Sequence, residues 1–300
     1  MTDRPTEPPA GTRTDRPLVR DLLEERRGDL TAAERKLAEV LTEDSLLSGL
    51  QSITRVAEVA AVSTPTVIRL ARKLGFDGFP AMQDAIRADL AARMQQPLAK
   101  LEAAPEAGHG THVVTRFAQG AARNIDRTLR RLDVAAFDAI ARDLAAPGRT
   151  VHLAGGRITR SLAQYLADHL RLIRADVRLL EPAPALWPQA VLDMGDASTL
   201  VLFDIRRYDR EIETLARHAA GRGTRVVLLT DIWGSPVERY AAQTLRASVE
   251  AQSSWDSTVA LLLLAEALVA EVQRLAPGPS AARLDALEGL AGATPMFRPR

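Results

Sequence analysis

Residues 52–75 read SITRVAEVAAVSTPTVIRLARKLG, and their apolar spacing decides the fold of the N-terminal part of the chain. Ser52 can cap a short helix whose Ile53, Val56, Ala57 and Ala60 fall at i, i+3, i+4 and i+7 on one face. After Ala61 and Val62, Ser63 can cap a second helix that turns Val67, Leu70, Ala71 and Leu74 inward, and Gly75 ends it. Two short capped helices separated by three residues form a helix-turn-helix. With those apolar residues inward, Pro65, Thr66, Arg69, Arg72 and Lys73 are expected to point away from the core, as a recognition surface does. Arginine suits that surface because its planar fork matches guanine O6 and N7, and Thr66 suits a base edge or a thymine methyl. Arg55, Ser63 and Thr64 are better placed for phosphates. The plainer alternative is a small helical bundle with a solvated basic face. Ala61 stands where many such motifs place glycine, and a left-handed alanine there costs roughly 1 kcal/mol.

Working outward, Thr31 and Glu34 have the spacing of a capping box and open a helix from Ala32 to about Glu43, while Phe76 and Phe79 return as apolar anchors. Residues 18–94 are therefore expected to form an all-α DNA-binding domain. The first 17 residues, rich in Pro, Thr, Arg and Asp, read as a disordered tail without a secretory signal. Residues 95–112, with Pro105, Gly108 and Gly110, read as a linker, and 293–300 as a second tail.

Beyond the linker, Val113–Leu132 and Val134–Leu144 have helical spacing. From Thr150 the pattern becomes short apolar runs, at Val151–Ala154, Val177–Leu180, Thr199–Phe203 and Arg225–Leu229, separated by amphipathic segments of helical length. Such alternation implies parallel crossovers, and the nearly all-apolar last two runs imply burial on both faces. Residues 113–292 are expected to form an α/β doubly wound parallel-sheet domain, so the whole is an α+β two-domain chain. Its ligand loops should follow the carboxyl ends of the strands.

Composition bounds the remaining choices. Three hundred residues with 46% apolar and 26% charged side chains suit two globular domains. The absence of cysteine excludes disulfides, thiolate metal sites and a cysteine nucleophile. A net charge of +1 means that nucleic-acid binding must rest on local arrangement. The most apolar segment, Val259–Ala270, is too short to span a bilayer and reads as a buried helix, which places the protein in the cytoplasm. The five histidines, at 109, 112, 152, 169 and 218, show no metal-ligand spacing beyond His109 and His112, and no cofactor is expected.

Leu30–Ala38, Ser52–Ala57 and Val62–Phe79 resemble the N-terminal domain of the MurR/RpiR family of transcriptional regulators. The strands, loops and terminal helices over Val113–Ala276 resemble the SIS (sugar isomerase) domain, the sensor normally attached to it. One recognition helix contacts too few bases for useful affinity, so a homo-oligomer, a dimer or a dimer of dimers, on a pseudo-palindromic double-stranded operator is expected. In that family a G-x-G-x-S turn after the first strand and an S-x-S-G-x-T turn after a later one bind sugar phosphates. Here Gly155 and Gly156 precede Arg157, which takes the place of the second glycine of the pattern, and Thr159 replaces its serine. In the later turn Asp204, Arg206, Arg207 and Asp209 replace Ser, Ser, Gly and Thr.

The hydroxyl cradle is thus lost. The arginines suit a small anionic or zwitterionic metabolite held bidentately, unless the acids and bases simply pair with one another. Thr230 with Asp231, and Glu250, Ser253, Ser254 and Asp256, are further candidates at the crevice, although helix capping explains Ser254 or Asp256 equally well. A regulator, not an enzyme, is expected. The alternatives are a sugar-phosphate isomerase and a domain used only for dimerisation.

Overall fold

The computed structural model describes residues 17–43, 51–94, 112–251 and 253–292. The tail at 1–17, the linker at 95–112 and the tail at 293–300 lie outside the described residues apart from Pro17 and His112, and so does His109. The chain divides into two units, Met1–Gln95 and Gln96–Arg300.

The first unit holds α1 (Val19–Glu25), α2 (Ala32–Glu43), α3 (Ile53–Val59), α4 (Thr64–Lys73) and α5 (Phe79–Met94). Its caps follow the local chemistry. Thr31 N donates to Glu34 Oε2 at 2.8 Å and Glu34 N to Thr31 Oγ1 at 3.3 Å, which is the reciprocal capping box. Ser52 caps α3 by accepting from Arg55 N at 3.3 Å. Ala61 does take the left-handed conformation, with φ +50°, so that Val62 N can reach back to Ala57 O at 2.9 Å. Gly75, at φ +92°, ends α4. Val56, Val67, Leu70 and Ala71 are buried with Leu37 and Leu41 of α2 and Met82 and Ile86 of α5.

In the second unit α6 (Val113–Arg130) and α7 (Val134–Ala145) lead into β1 (Thr150–Gly155), α8 (Arg160–Ile173) and β2 (Val177–Leu179). There follow α9 (Trp187–Leu192), β3 (Ser198–Asp204), α10 (Arg210–Ala220), β4 (Arg225–Asp231), β5 (Gln243–Ala247), α11 (Val259–Leu275) and α12 (Pro277–Gly292). The sheet is parallel, in the order β2-β1-β3-β4-β5. On one face Ala154, Leu200, Leu202, Val226 and Leu228 pack against Ile212, Leu215, Ala216 and Ala219 of α10. The alternate residues Leu153, Val201, Phe203, Val227 and Leu229 are buried too, so both faces are covered.

The four expected strands are present, and β5 is an addition. It is an edge strand whose Thr244 and Arg246 interrupt the apolar run, with Arg246 paired to Glu238 through two bonds of 3.0 Å. No helix of the described residues is long and apolar enough to cross a membrane.

Candidate nucleic-acid interface and ligand crevice

On α4, Pro65, Arg69 and Arg72 are exposed, as is Ser63 just before it, and Thr64 is half-buried. Two residues expected to point outward do not. Thr66 is buried, and its hydroxyl bonds Ser63 Oγ at 2.9 Å and accepts from Arg69 Nη2 at 3.0 Å. Ser63 occupies the N-cap position, yet its hydroxyl makes this side-chain bond and no capping bond. Lys73 turns back toward α2, donating to Asp29 O at 2.8 Å and to Glu34 Oε2 at 2.7 Å. Burial pushes the Glu34 carboxyl up, but Lys73 and the Thr31 donors outweigh it and hold its pKa below the ordinary value. Arg55 pairs with Glu58 at 3.1 Å where both are well exposed, a weak tie that leaves its charge available. The exposed cations here are therefore Arg55, Arg69 and Arg72.

The carboxyl edge of the sheet is built from two touching loops. β1 and β3 run in register, Gly155 opposite Phe203, so the loops that follow them meet. A Cβ at Gly155 would lie 2.7 Å from Arg160 N and from Thr159 C and O, which is why this turn needs glycine. Thr159 is buried and donates its hydroxyl to Phe203 O at 2.7 Å. A Cβ at Gly156 would lie 3.8 Å from the Asp209 side chain, and Arg157 is exposed at the rim.

In the second loop the acids and bases are mostly turned inward and paired with protein groups. Asp204 is buried and accepts from Ser235 Oγ at 2.5 Å and Asp209 N at 3.2 Å; burial raises its pKa to about 6. Asp231 is buried beside it, accepting from Arg206 N at 2.6 Å, Tyr208 Oη at 2.8 Å and Trp233 N at 2.9 Å, and burial raises its pKa as well. The Arg206 guanidinium pairs with Asp256 and lies 4.0 Å from the centre of the Trp233 ring. Arg207 is exposed, at φ +71° and 5.9 Å from the Trp255 ring, and Asp209 caps α10 by accepting from Glu211 N at 2.9 Å.

Thr230 is buried, and its hydroxyl meets no partner among the described residues. Glu250 lies against α6 instead of the crevice: Arg127 Nη1 reaches its carboxylate at 3.0 Å and Asn124 Nδ2 its carbonyl at 2.6 Å. Ser254 is half-buried. The N-cap position of α11 belongs to Thr258, so neither Ser254 nor Asp256 caps that helix.

No local pattern marks Tyr208, Trp233 or Ser235 for these contacts, and Asp256, a crevice candidate that capping explained equally well, is brought here by the fold. The apolar run ending at Asp231 was the only local signal. Among the described residues no cluster of side chains could hold a metal ion. His112 caps α6 by accepting from Val114 N at 3.3 Å, and His169 stacks on Tyr165 at 4.1 Å.

Residues 18–93 match the helix-turn-helix domain of the rpiR family, and residues 145–271 match the SIS domain. The chain belongs to the MurR/RpiR family. It is a helix-turn-helix transcriptional regulator carrying a SIS domain. The HTH-type transcriptional regulator HexR of Pseudomonas aeruginosa is 29% identical over 226 residues, 74% of this regulator and 76% of HexR. An uncharacterized HTH-type transcriptional regulator of Haemophilus influenzae is 24% identical, over 72% of this chain and 75% of its own length. NanR of Vibrio vulnificus, solved in complex with ManNAc-6P, aligns with 91% of the regulator and 99% of its own chain at a TM-score of 0.54 and 21% identity. The sugar isomerase domain of an RpiR transcription factor from Sphaerobacter thermophilus aligns with 59% of the regulator and 99% of its own chain, at a TM-score of 0.56 and 20% identity. At these identities the two structures establish the fold of the MurR/RpiR regulator alone.

Proposed function

We propose that the regulator acts in the cytoplasm as a homo-oligomer, a dimer or a dimer of dimers, on a pseudo-palindromic double-stranded operator. Its SIS domain senses a small anionic or zwitterionic metabolite between the Gly155 loop and the loop from Asp204 to Asp209. The observation that carries the DNA half is the exposure of Arg69 and Arg72 on α4 and of Arg55 on α3. A single recognition helix touches few base pairs, and a two-fold pair of them doubles the contact. In the sensing half, Arg157 and Arg207 stand exposed on loops that touch, which favours an anion.

The SIS fold is shared with sugar-phosphate isomerases, but catalysis is not supported here. The loop from Asp204 to Asp209 contains no Ser or Thr, and the Thr159 hydroxyl is committed to Phe203 O.

The test is selection of an operator from genomic fragments, followed by anisotropy titrations with carboxylic acids, amino acids and sugar phosphates. An acid or amino acid is expected to shift operator affinity about fivefold or more, the usual range of allosteric coupling. Arg157→Gln with Arg207→Gln should blunt that response. Response to neutral sugars alone, or turnover of a phosphosugar, contradicts the proposal.

A further inference from the structure

The Arg206–Asp256 ion pair is buried. Replacing a buried ion pair with apolar groups is often neutral or stabilising, so such a pair is weak evidence for a stability role. Its setting is also that of a site. The Arg206 side chain is 3% exposed and that of Asp256 is 9% exposed, at the carboxyl edge where ligands of parallel sheets bind. The guanidinium lies 4.0 Å from the centre of the Trp233 ring and the Arg206 backbone N–H is held by Asp231, so contacts other than Asp256 also hold this residue. Next to it Arg207 is held left-handed, a conformation that disfavours a side chain, and Trp255 stands 51% exposed beside Asp256.

We propose that Arg206 on Trp233 is a carboxylate seat, that Asp256 is its resident occupant, and that a monocarboxylate ligand acts by taking the place of Asp256. This deepens the reading of an anionic effector at the same crevice and rests on it. Charge selects the class. A monocarboxylate exchanges one for one with the Asp256 side chain. A phosphate dianion brings extra negative charge next to Asp231 and Asp204, two buried carboxylates already disfavoured by burial. The ring faces of Trp233 and Trp255 suit an apolar or aromatic body on the acid.

The exchange has a route outward. Ser257, next to Asp256, donates its N–H to Val249 O at 2.8 Å. On either side of Val249, Ser248 N donates to Thr128 Oγ1 at 3.0 Å, and Glu250 is held by Asn124 and Arg127. Thr128, Asn124 and Arg127 all belong to α6, the first described helix after residue 111. Releasing Asp256 therefore loosens a stretch anchored on the helix that follows the DNA-binding half in the chain. In this proposal the stretch is the two-state element through which ligand binding biases operator affinity.

Chemical rescue tests it with the full-length protein. In Asp256→Ala, acetate and formate are expected to bind the vacated seat, seen as a saturable change in tryptophan fluorescence that wild type and Asp256→Ala/Arg206→Met lack. Operator affinity of Asp256→Ala should differ from wild type about fivefold or more and stay displaced when acetate fills the seat, because the stretch that Asp256 tethers remains released. Chloride at equal ionic strength controls for screening of the DNA contacts, and inorganic phosphate should not substitute. Arg127→Gln should keep the fluorescence response in the Asp256→Ala background and lose the operator shift. If Asp256→Ala does not fold, Asp256→Asn, which keeps the volume, should show the same operator shift. A folded Asp256→Ala protein that binds operator as wild type does, or shows no saturable acetate response, overturns the inference and leaves the DNA reading intact. Absence of operator binding by wild type would instead remove the reading beneath it.

Discussion

Gly155→Ala tests whether the first crevice loop is held by close packing. The added methyl would sit 2.7 Å from three backbone atoms, Arg160 N and Thr159 C and O. None of these is the end of a flexible side chain, so relief requires moving the first turn of α8. That turn is pinned by the Thr159 hydroxyl on Phe203 O at 2.7 Å. Overpacking costs about 1–3 kcal/mol, and a backbone obstacle puts this case near 3. For a unit of this size each kcal/mol lowers Tm by about 2–4 °C, so the C-terminal transition should fall by about 6–12 °C. Gly156→Ala is the control, because its nearest neighbour would be Thr159 Oγ1 at 3.6 Å, an ordinary contact. Scanning calorimetry of the two variants reads the difference. If Gly155→Ala melts with wild type, or both variants fall alike, the packing argument is wrong.

His152 on β1 is buried, and burial with the nearby Arg178 charge lowers its pKa from 6.5 to about 4 against the opposing pull of Asp193. The fold thus holds it neutral while the unfolded chain protonates, so stability is undiminished above pH 6.5 and falls as the pH drops from there toward 4. Urea midpoints across this window should slope less in His152→Leu than in wild type; identical slopes would contradict the assignment. Lys73→Gln should lower the stability of the N-terminal unit by about 1–3 kcal/mol, between the values for exposed and buried pairs, and leave the operator motif unchanged. A changed motif would return Lys73 to the DNA surface. Ala61→Gly should alter stability by no more than about 0.5 kcal/mol, since relief of the left-handed strain is offset by unfolded-state entropy. Ala61→Val should be lower by more than about 1 kcal/mol, as a β-branched residue tolerates φ +50° poorly. Chemical denaturation giving equal stability for Gly and Val would refute that strain.

The elements that could be read from sequence are those whose signals are local. Thr31 with Glu34, Ser52 and Gly75 lie within a turn of the groups they satisfy, and Ala61 was marked by its position alone. β3 and β4 are buried on both faces, so their apolar runs are unbroken. β5 escaped because an edge strand needs little apolar surface, and its register, Leu229 opposite Leu245, is a long-range fact. Strand order likewise brought Gly155 to the loop at 204–209. What sequence could not give was the direction of polar side chains. Lys73 finds Glu34 across 39 residues and Arg206 finds Asp256 across 50, and no local pattern ranks such partners above solvent or ligand. Thr66 is a nearer case, turned inward because Ser63 and Arg69 share its hydroxyl.

The central claim, that α4 reads operator DNA in a symmetric oligomer, is tested most directly by genomic selection with wild type, Arg69→Ala and Arg55→Ala. Wild type should enrich one inverted-repeat motif. Arg69→Ala should lose about 1–3 kcal/mol on that motif and relax preference at the base pair it reads, while Arg55→Ala weakens all sequences alike. No enriched motif for wild type, or an unchanged motif and affinity for Arg69→Ala, would contradict the account.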